Sequence, residues 1–160
     1  MMLSWLSKKP RFMDRECADL SLMLTQDDQS ITYRRDALDP AQLDFSLDSL
    51  RHIDAYLEQL MVAPPDGPDF LRVVLRTGAY VGEVIKRQRP GKYHWIGYDE
   101  AAKHSEFVRG LEHCIASAAM LWYDNGSVAF PLGKVCKYLE NGSEDSVYFF
   151  AKVLLEREGG

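Results

Sequence analysis

The chain has 160 residues, of which 46% are hydrophobic and 27% are charged, a composition that excludes intrinsic disorder and predicts one globular domain. Its formal net charge of −5 disfavours nucleic acid as a partner, because an acidic protein repels phosphate backbones on average. No apolar run approaches the roughly 18 residues of a membrane span, so we expect no membrane insertion.

The N-terminal part of the chain gives weak structural signals. Residues 1–12 are expected to form a loosely held arm ahead of a single domain over residues 13–158. Apolar residues at helical spacing predict a short helix over 14–25, and alternation predicts a strand or extended link over 29–33.

Two stronger helical patterns follow. The first begins at Ser46, a natural N-cap, and must stop before Pro64-Pro65, since proline cannot donate the backbone hydrogen bond. The second runs from a cap at Asp69 to Gln88. We expect the two to form an antiparallel helical hairpin.

Glycine interrupts the second of these helices twice. Gly78 and Gly82 lie about one turn apart, although each glycine costs about 1 kcal/mol relative to alanine inside a helix. The pair leaves a smooth groove on one helix face, so we expect another backbone to approach closely there.

A small antiparallel sheet is predicted next. Alternating aromatic residues predict a strand over 92–98, residues 99–109 a short helix, and the apolar run Cys114–Tyr123 a buried strand. Asn125-Gly126 accepts the positive φ angles of a tight hairpin turn, and residues 127–130 form the returning strand.

Helical patterns return at the C-terminal end. A short helix is predicted over 132–139, and Ser143 is the expected N-cap of a last helix. The core face of that helix is predicted to carry Val147, Phe150, Val153 and Leu154. The order of elements predicts an α+β fold: a helical hairpin followed by a small antiparallel sheet and C-terminal helices, without the βαβ alternation of a parallel sheet.

Motifs for catalysis and cofactor binding are missing. The sequence has no dinucleotide fingerprint, phosphate loop, zinc-protease motif or nucleophile elbow, and its four histidines lie at unrelated spacings. We therefore predict no metal site and no cofactor, and favour a protein without enzymatic activity. Three widely spaced cysteines, none in a CxxC pair, are typical of reduced thiols and indicate a cytoplasmic protein.

Glu83 is the most unusual polar residue, because it lies in an otherwise apolar stretch of helix. One interpretation is a carboxylate held in a cleft, acting as an acid, base or ligand, with Tyr80, His94 and Trp95 nearby. The other is a structural ion pair, for instance with Arg87 one turn later.

Two segments carry a resemblance. Gly78-Ala79-Tyr80-Val81-Gly82-Glu83-Val84-Ile85 and the stretch over 130–146, which contains Pro131, Val135, Lys137 and Asn141-Gly142, resemble a group of small uncharacterised bacterial proteins. In that group a GAYxGE helix precedes a Trp-containing strand and a P…V.K…NG..DS stretch. The resemblance covers residues 43–155 and implies an architecture and a bacterial source, but no catalytic residues.

Two main hypotheses for function follow, from different classes. The first is a non-enzymatic protein-binding domain, of the immunity type that inhibits a bacterial toxin, because small acidic bacterial proteins often act as antidotes. Charge complementarity would speed its encounter with a basic toxin domain. Its expected carriers are the acidic residues Asp27, Asp28, Asp36 and Asp39, together with an exposed aromatic side chain.

The second hypothesis is a small enzyme or ligand-binding protein that uses Glu83 in a cleft. A third role is self-association, with the apolar arm pairing across a dimer. The arm residues that would make this contact are Leu3, Trp5 and Leu6.

Overall fold

The computed structural model describes residues 10–26 and 32–159, and within them seven α-helices accompany one three-stranded antiparallel sheet. The helices are α1 (Asp14–Thr25), α2 (Leu50–Leu60), α3 (Gly67–Gln88), α4 (Tyr98–His104), α5 (Glu106–Arg109), α6 (Pro131–Asn141) and α7 (Val147–Gly159). The strands are β1 (Tyr93–Gly97), β2 (Ala119–Tyr123) and β3 (Val128–Ala129). The predicted α+β class, with helices before and after a small antiparallel sheet, is confirmed.

Helix α3 is the centre of the fold. Its residues from Thr77 to Ile85 are all buried, and its main helical neighbours are α1 and α6. A Cβ atom at Gly78 would lie 2.9 Å from Cα of Leu132 in α6, which confirms the expected close backbone approach. At Gly82 the neighbour is a side chain instead, because a Cβ atom there would overlap the indole ring of Trp95.

The sheet separates two apolar clusters. Its strand order is β1-β2-β3, with Trp95 opposite Leu121 and Ile96 opposite Met120. Trp95 and Leu121 face the main core with α2, α3, α6 and α7, whereas Ile96 and Met120 face a smaller cluster under α4 and α5. A tight turn is present where predicted, but only Gly126 has a positive φ, at +86°, and Asn125 does not. The N–H of Gly126 donates to the carbonyl of Tyr123 at 2.8 Å, so the loop is longer than the predicted two residues.

The strand predicted from Cys114 is too long at its start. Residues Ile115–Ser117 form a 3₁₀ turn, and β2 begins only at Ala119. The side chain of Ser117 accepts a hydrogen bond from the N–H of Cys114 at 3.1 Å and donates one to the carbonyl of Glu112 at 2.6 Å. A hydroxyl that bonds local backbone groups in this way competes with a strand ladder.

Helix starts also differ from the predictions. Ser46 caps the 3₁₀ turn Leu47–Ser49, and α2 begins only at Leu50. Helix α3 begins at Gly67 rather than after a cap at Asp69, because proline at residue 68 is tolerated in a first turn. Asp69 lies within that turn and forms an ion pair with Arg72 at 3.5 Å.

The last helix begins after Ser146 rather than at the predicted cap Ser143, which lies in the 3₁₀ turn Ser143–Asp145. Asp54 of α2 accepts hydrogen bonds from the N–H of Val147 at 2.7 Å and from the Ser146 hydroxyl at 2.5 Å. This distant cap fixes the rotation of α7. As a result, Ala151 and Leu155 join Val147 and Leu154 in the core, while Phe150 is half-buried and Val153 is exposed.

The N-terminal predictions are tested only in part. Helix α1 confirms the helix predicted over 14–25. Thr32 and Tyr33 lie in a bend and a turn rather than in a strand, and the rest of that predicted strand lies outside the described residues, as do residues 1–9 of the arm. Among the described helices, none has both the length and the apolar character needed to cross a bilayer.

Candidate functional site

The carboxylate of Glu83 lies between α3 and β1, where the fold itself uses it. Its Oε2 atom accepts a hydrogen bond from Nε1 of Trp95 at 2.9 Å and lies 3.5 Å from Nζ of Lys86. Glu83 is 8% exposed, and Trp95 is fully buried. An indole N–H buried without an acceptor would cost about 1–3 kcal/mol, so this contact has a clear structural purpose.

Asp14, which sequence reasoning did not select, completes this arrangement. Its Oδ1 atom accepts hydrogen bonds from Nζ of Lys86 at 2.6 Å and from the backbone N–H of Trp95 at 2.8 Å. Its Oδ2 atom lies 2.9 Å from Nδ1 of His94. Burial alone would raise the pKa of Asp14, but these three partners outweigh it and hold the pKa below its ordinary value.

We call Asp14, Glu83, Lys86, His94 and Trp95 the Trp95 network. It joins α1 to α3 and β1, which follow each other along the chain more than forty residues after α1. The predicted grouping of Glu83 with His94 and Trp95 therefore exists in space. The partner of Glu83 is not Arg87, as the structural interpretation suggested, but Lys86 together with the indole.

Tyr80 belongs to a different part of α3. Its hydroxyl accepts a hydrogen bond from the N–H of Phe45 at 3.0 Å and lies 2.7 Å from Oγ of Ser49. Burial raises the pKa of Tyr80, although these hydrogen bonds partly oppose that rise. Tyr80 thus anchors the turn that precedes α2.

The predicted acidic carriers are described in part. Asp36 is exposed and forms a bidentate ion pair with Arg34, with both distances at 3.0 Å. Asp39 is exposed and accepts the N–H of Ala41 at 3.0 Å, which caps the 3₁₀ turn over 40–42. Asp27 and Asp28 lie outside the described residues.

A cavity of about 440 Å³ lies elsewhere, between α6, α7, β3 and the 3₁₀ turn at Ile115–Ser117. Its wall is largely apolar and includes Leu111, Ala116, Val128, Phe130, Phe150 and Leu154. Gly133 contributes backbone to the same wall. The volume falls within the range of about 300–1,000 Å³ that is usual for small-molecule sites.

Charged side chains also line this cavity. Lys134 and Lys137 come from α6, Arg157 comes from α7, and Glu112 is the one acidic residue. Lys134 is committed to Asp145, with Nζ 2.8 Å from Oδ1. Within residues 10–26 and 32–159, neither Lys137 nor Arg157 has an acidic group within 4 Å. We call this feature the basic-rimmed cavity.

A second, much smaller cavity lies beside Tyr56. Glu83 lines neither this cavity nor the basic-rimmed cavity. Sequence reasoning missed the larger cavity because its wall comes from four elements that are separate along the chain. The available signal was the pair Lys134 and Lys137, three residues apart and therefore neighbours on one helix face.

The described residues hold no cluster of three or more histidine, cysteine or carboxylate side chains that could bind a metal ion.

Comparison with known proteins assigns no family or function. The chain matches no protein-family model, no curated protein and no solved structure.

Proposed function

We propose that this chain is a non-enzymatic intracellular protein-binding domain, an immunity-type inhibitor that neutralises a basic toxin domain. The polar side chains that the sequence offers for catalysis are engaged within the fold. The Glu83 carboxylate accepts a hydrogen bond from the Trp95 indole N–H, and the Tyr80 hydroxyl accepts one from the backbone N–H of Phe45. The alternative, an enzyme or ligand-binding protein built on Glu83, has less support because no described cavity reaches that carboxylate.

The observation that supports the proposal is the concentration of exposed aspartates between Arg35 and Leu50. Four aspartates in this range are exposed: Asp36, Asp39, Asp44 and Asp48. Asp36 and Asp48 form ion pairs with Arg34 and Arg51, both at 3.0 Å. Asp39 and Asp44 bond only uncharged groups and keep their full negative charge for a partner: Asp39 accepts the N–H of Ala41, and Asp44 accepts the N–H and the hydroxyl of Ser46 at 3.0 Å and 2.6 Å. We call these four residues the acidic segment.

A fixed acidic surface suits a basic protein partner for two reasons. The negative potential speeds the encounter with a positively charged surface, chiefly through the association rate. Because the backbone is already ordered by 3₁₀ turns at Arg35–Ala37, Pro40–Gln42 and Leu47–Ser49, binding loses less conformational entropy.

The test uses the product of the gene that neighbours the one encoding this chain. We expect co-expression of the full chain to restore growth of cells that produce this protein, and the two purified proteins to form a complex. Replacing all four residues of the acidic segment with asparagine removes four charges but keeps side chains able to cap turns. The association rate should fall at least tenfold and lose most of its salt dependence.

A matched control removes four exposed acids elsewhere, through Asp99→Asn, Glu106→Gln, Glu140→Gln and Glu156→Gln. This variant should retain most of the association rate. Equal losses of association rate in the two variants would show that only the net charge matters. They would reject the acidic segment as the docking surface. Absence of both growth rescue and a complex would reject the proposed inhibitor.

A further inference from the structure

We infer that the basic-rimmed cavity binds a small amphipathic anion, namely a medium-chain aliphatic carboxylate. This site is separate from the acidic segment, so it does not depend on the proposed inhibitor function. The cavity offers both parts that such a ligand needs, an apolar chamber for a hydrocarbon body and cations for one carboxylate.

The apolar part of the cavity is lined by side chains that form no hydrogen bonds with water. Phe130 precedes α6, Phe150 and Leu154 lie on α7, and Ala116 lies in the 3₁₀ turn. A hydrocarbon chain that enters leaves water and gains roughly 0.8 kcal/mol for each buried methylene group. The volume of about 440 Å³ is enough for a ligand but too small for a folded protein segment with its own core.

The charges at the rim select the sign of the ligand. Three cations and one acid line the cavity, although the whole chain carries a formal net charge of −5. Lys137 and Arg157 approach from two different helices, and neither has an acidic partner within 4 Å in the described parts of the chain. The hydrogen bond from Lys134 is the main cause that lowers the pKa of Asp145, and Lys137 adds only a longer-range charge to that effect. Both Lys137 and Arg157 can therefore form a direct contact with a bound anion.

The planar guanidinium of Arg157 suits a carboxylate better than the ammonium group of a lysine, which acts as a point charge. This guanidinium can donate two parallel hydrogen bonds to the two carboxylate oxygens, and Lys137 adds a charge from the facing helix. Glu112 on the same rim disfavours ligands with a second anionic group near it, which points to a single carboxylate rather than a dianion.

Calorimetric titration of the full chain with three ligands of equal length tests the inference. Octanoate, octan-1-ol and octylammonium share one hydrocarbon body and differ only in head-group charge. We expect octanoate to bind at one site per chain, at least tenfold tighter than octan-1-ol, with octylammonium the weakest. Equal binding of all three would indicate non-selective hydrophobic uptake and overturn the inference, as would no saturable binding of octanoate.

Variants then locate the site. Lys137→Gln combined with Arg157→Gln should weaken octanoate at least tenfold and leave octan-1-ol unchanged. The control combines Lys103→Gln with Lys152→Gln, two exposed cations that do not line the cavity, and should change neither affinity. An equal loss of octanoate affinity in both double variants would overturn the assignment to this cavity.

Cys114 gives an independent reading of where the ligand lies, because this exposed thiol lines the cavity. Burial, with a smaller effect from nearby acids, raises the pKa of Cys17 to about 12, and burial raises that of Cys136 to about 11. Cys114 should therefore react first with N-ethylmaleimide. Saturating octanoate should slow this reaction at least threefold in the native chain, and an unchanged rate would place the ligand elsewhere.

Discussion

The Trp95 network and the basic-rimmed cavity both place charged side chains beside apolar surface, but they use those charges differently. In the network, Asp14 bonds Lys86, His94 and the backbone of Trp95, and Glu83 bonds the indole. At the cavity, Lys137 and Arg157 form no ion pair within 4 Å in the described chain, although Lys137 lies near enough to Asp145 to help Lys134 lower the pKa of that carboxyl. A charge with several direct partners inside the fold supports architecture, whereas a charge beside a cavity without an ion pair is available to a ligand.

The strongest test of this contrast is Gly82→Ala. The new Cβ atom would overlap the indole of Trp95, which is enclosed on all sides, so the ring or α3 must shift. We expect the free energy of unfolding to fall by about 3 kcal/mol, a typical upper cost for overpacking. Urea denaturation measures this loss.

Gly110→Ala is the matched control, since a Cβ atom there has no neighbour closer than 3.6 Å. It should change the free energy of unfolding by less than about 0.5 kcal/mol. A native-like midpoint for Gly82→Ala would show that Trp95 moves easily and that the network is not rigid.

The next effect in size is expected for Glu83→Ala. This change leaves the Trp95 indole N–H without its acceptor and opens a gap beside a buried ring, at a cost of about 2–3 kcal/mol. Glu83→Gln retains an oxygen that can accept the same hydrogen bond, so it should cost about 1 kcal/mol. Denaturation curves compare the two. If both variants match the native chain in stability, the carboxylate is free for a functional role.

Asp14→Asn should have a smaller effect that depends on pH. The pKa of Asp14 is lowered in the folded state, so its stabilisation is complete above the unfolded value near 3.8 and is lost as pH falls through the folded value. At pH 7 the loss should be about 1 kcal/mol, moderated because 32% of the side chain is exposed.

The stability difference between the Asp14→Asn and native chains should begin to shrink as pH falls below about 3.8, the unfolded pKa, and should vanish only below the lowered folded pKa, where both chains carry a neutral side chain at residue 14. Thermal denaturation between pH 2.5 and pH 7 follows this convergence. A stability difference that stays constant over that range would assign the effect to shape rather than to charge.

The smallest effect on stability is expected at the cavity itself. Lys137→Gln combined with Arg157→Gln removes no ion pair of the described chain, so the free energy of unfolding should change by less than about 0.5 kcal/mol. A loss above 1 kcal/mol would mean that these cations support the fold, as Lys86 does, and would remove the contrast between the two regions.

The sequence was informative where structure depends on near neighbours. Ser46 is confirmed as a cap, since its Oγ accepts the N–H of Ser49 at 3.1 Å, although the turn it caps is the 3₁₀ turn Leu47–Ser49 that leads into α2. A tight turn lies where Asn125-Gly126 predicted one, with positive φ at Gly126 alone. Helical and alternating periodicities likewise located the main helices and β1. These features depend on residues only a few positions apart, which a single sequence displays directly.

Predictions were wrong or incomplete where a distant partner decides the outcome. The start of α7 depends on Asp54, more than ninety residues earlier, and no local pattern reveals it. The sequence placed Trp95 near Glu83, but it did not reveal that the carboxylate accepts the indole N–H, which depends on how α3 and β1 pack. The basic-rimmed cavity forms only where α6, α7, β3 and a 3₁₀ turn meet in the folded chain. The periodicity of the sequence therefore cannot reveal it.

The contacts of Trp95 with the start of α1 have one more consequence, for the behaviour of the protein at high concentration. Strand β1 lies at the border of the sheet, where free backbone groups could recruit a strand from another molecule. The N–H of Trp95 instead donates to Asp14, and its carbonyl accepts from Met13 at 2.8 Å. The middle of this border is thereby closed to intermolecular β-pairing, while the opposite border, β3, is only two residues long and offers little to extend. The contacts that hold the backbone of Trp95 against the start of α1 thus also protect the chain from edge-to-edge aggregation.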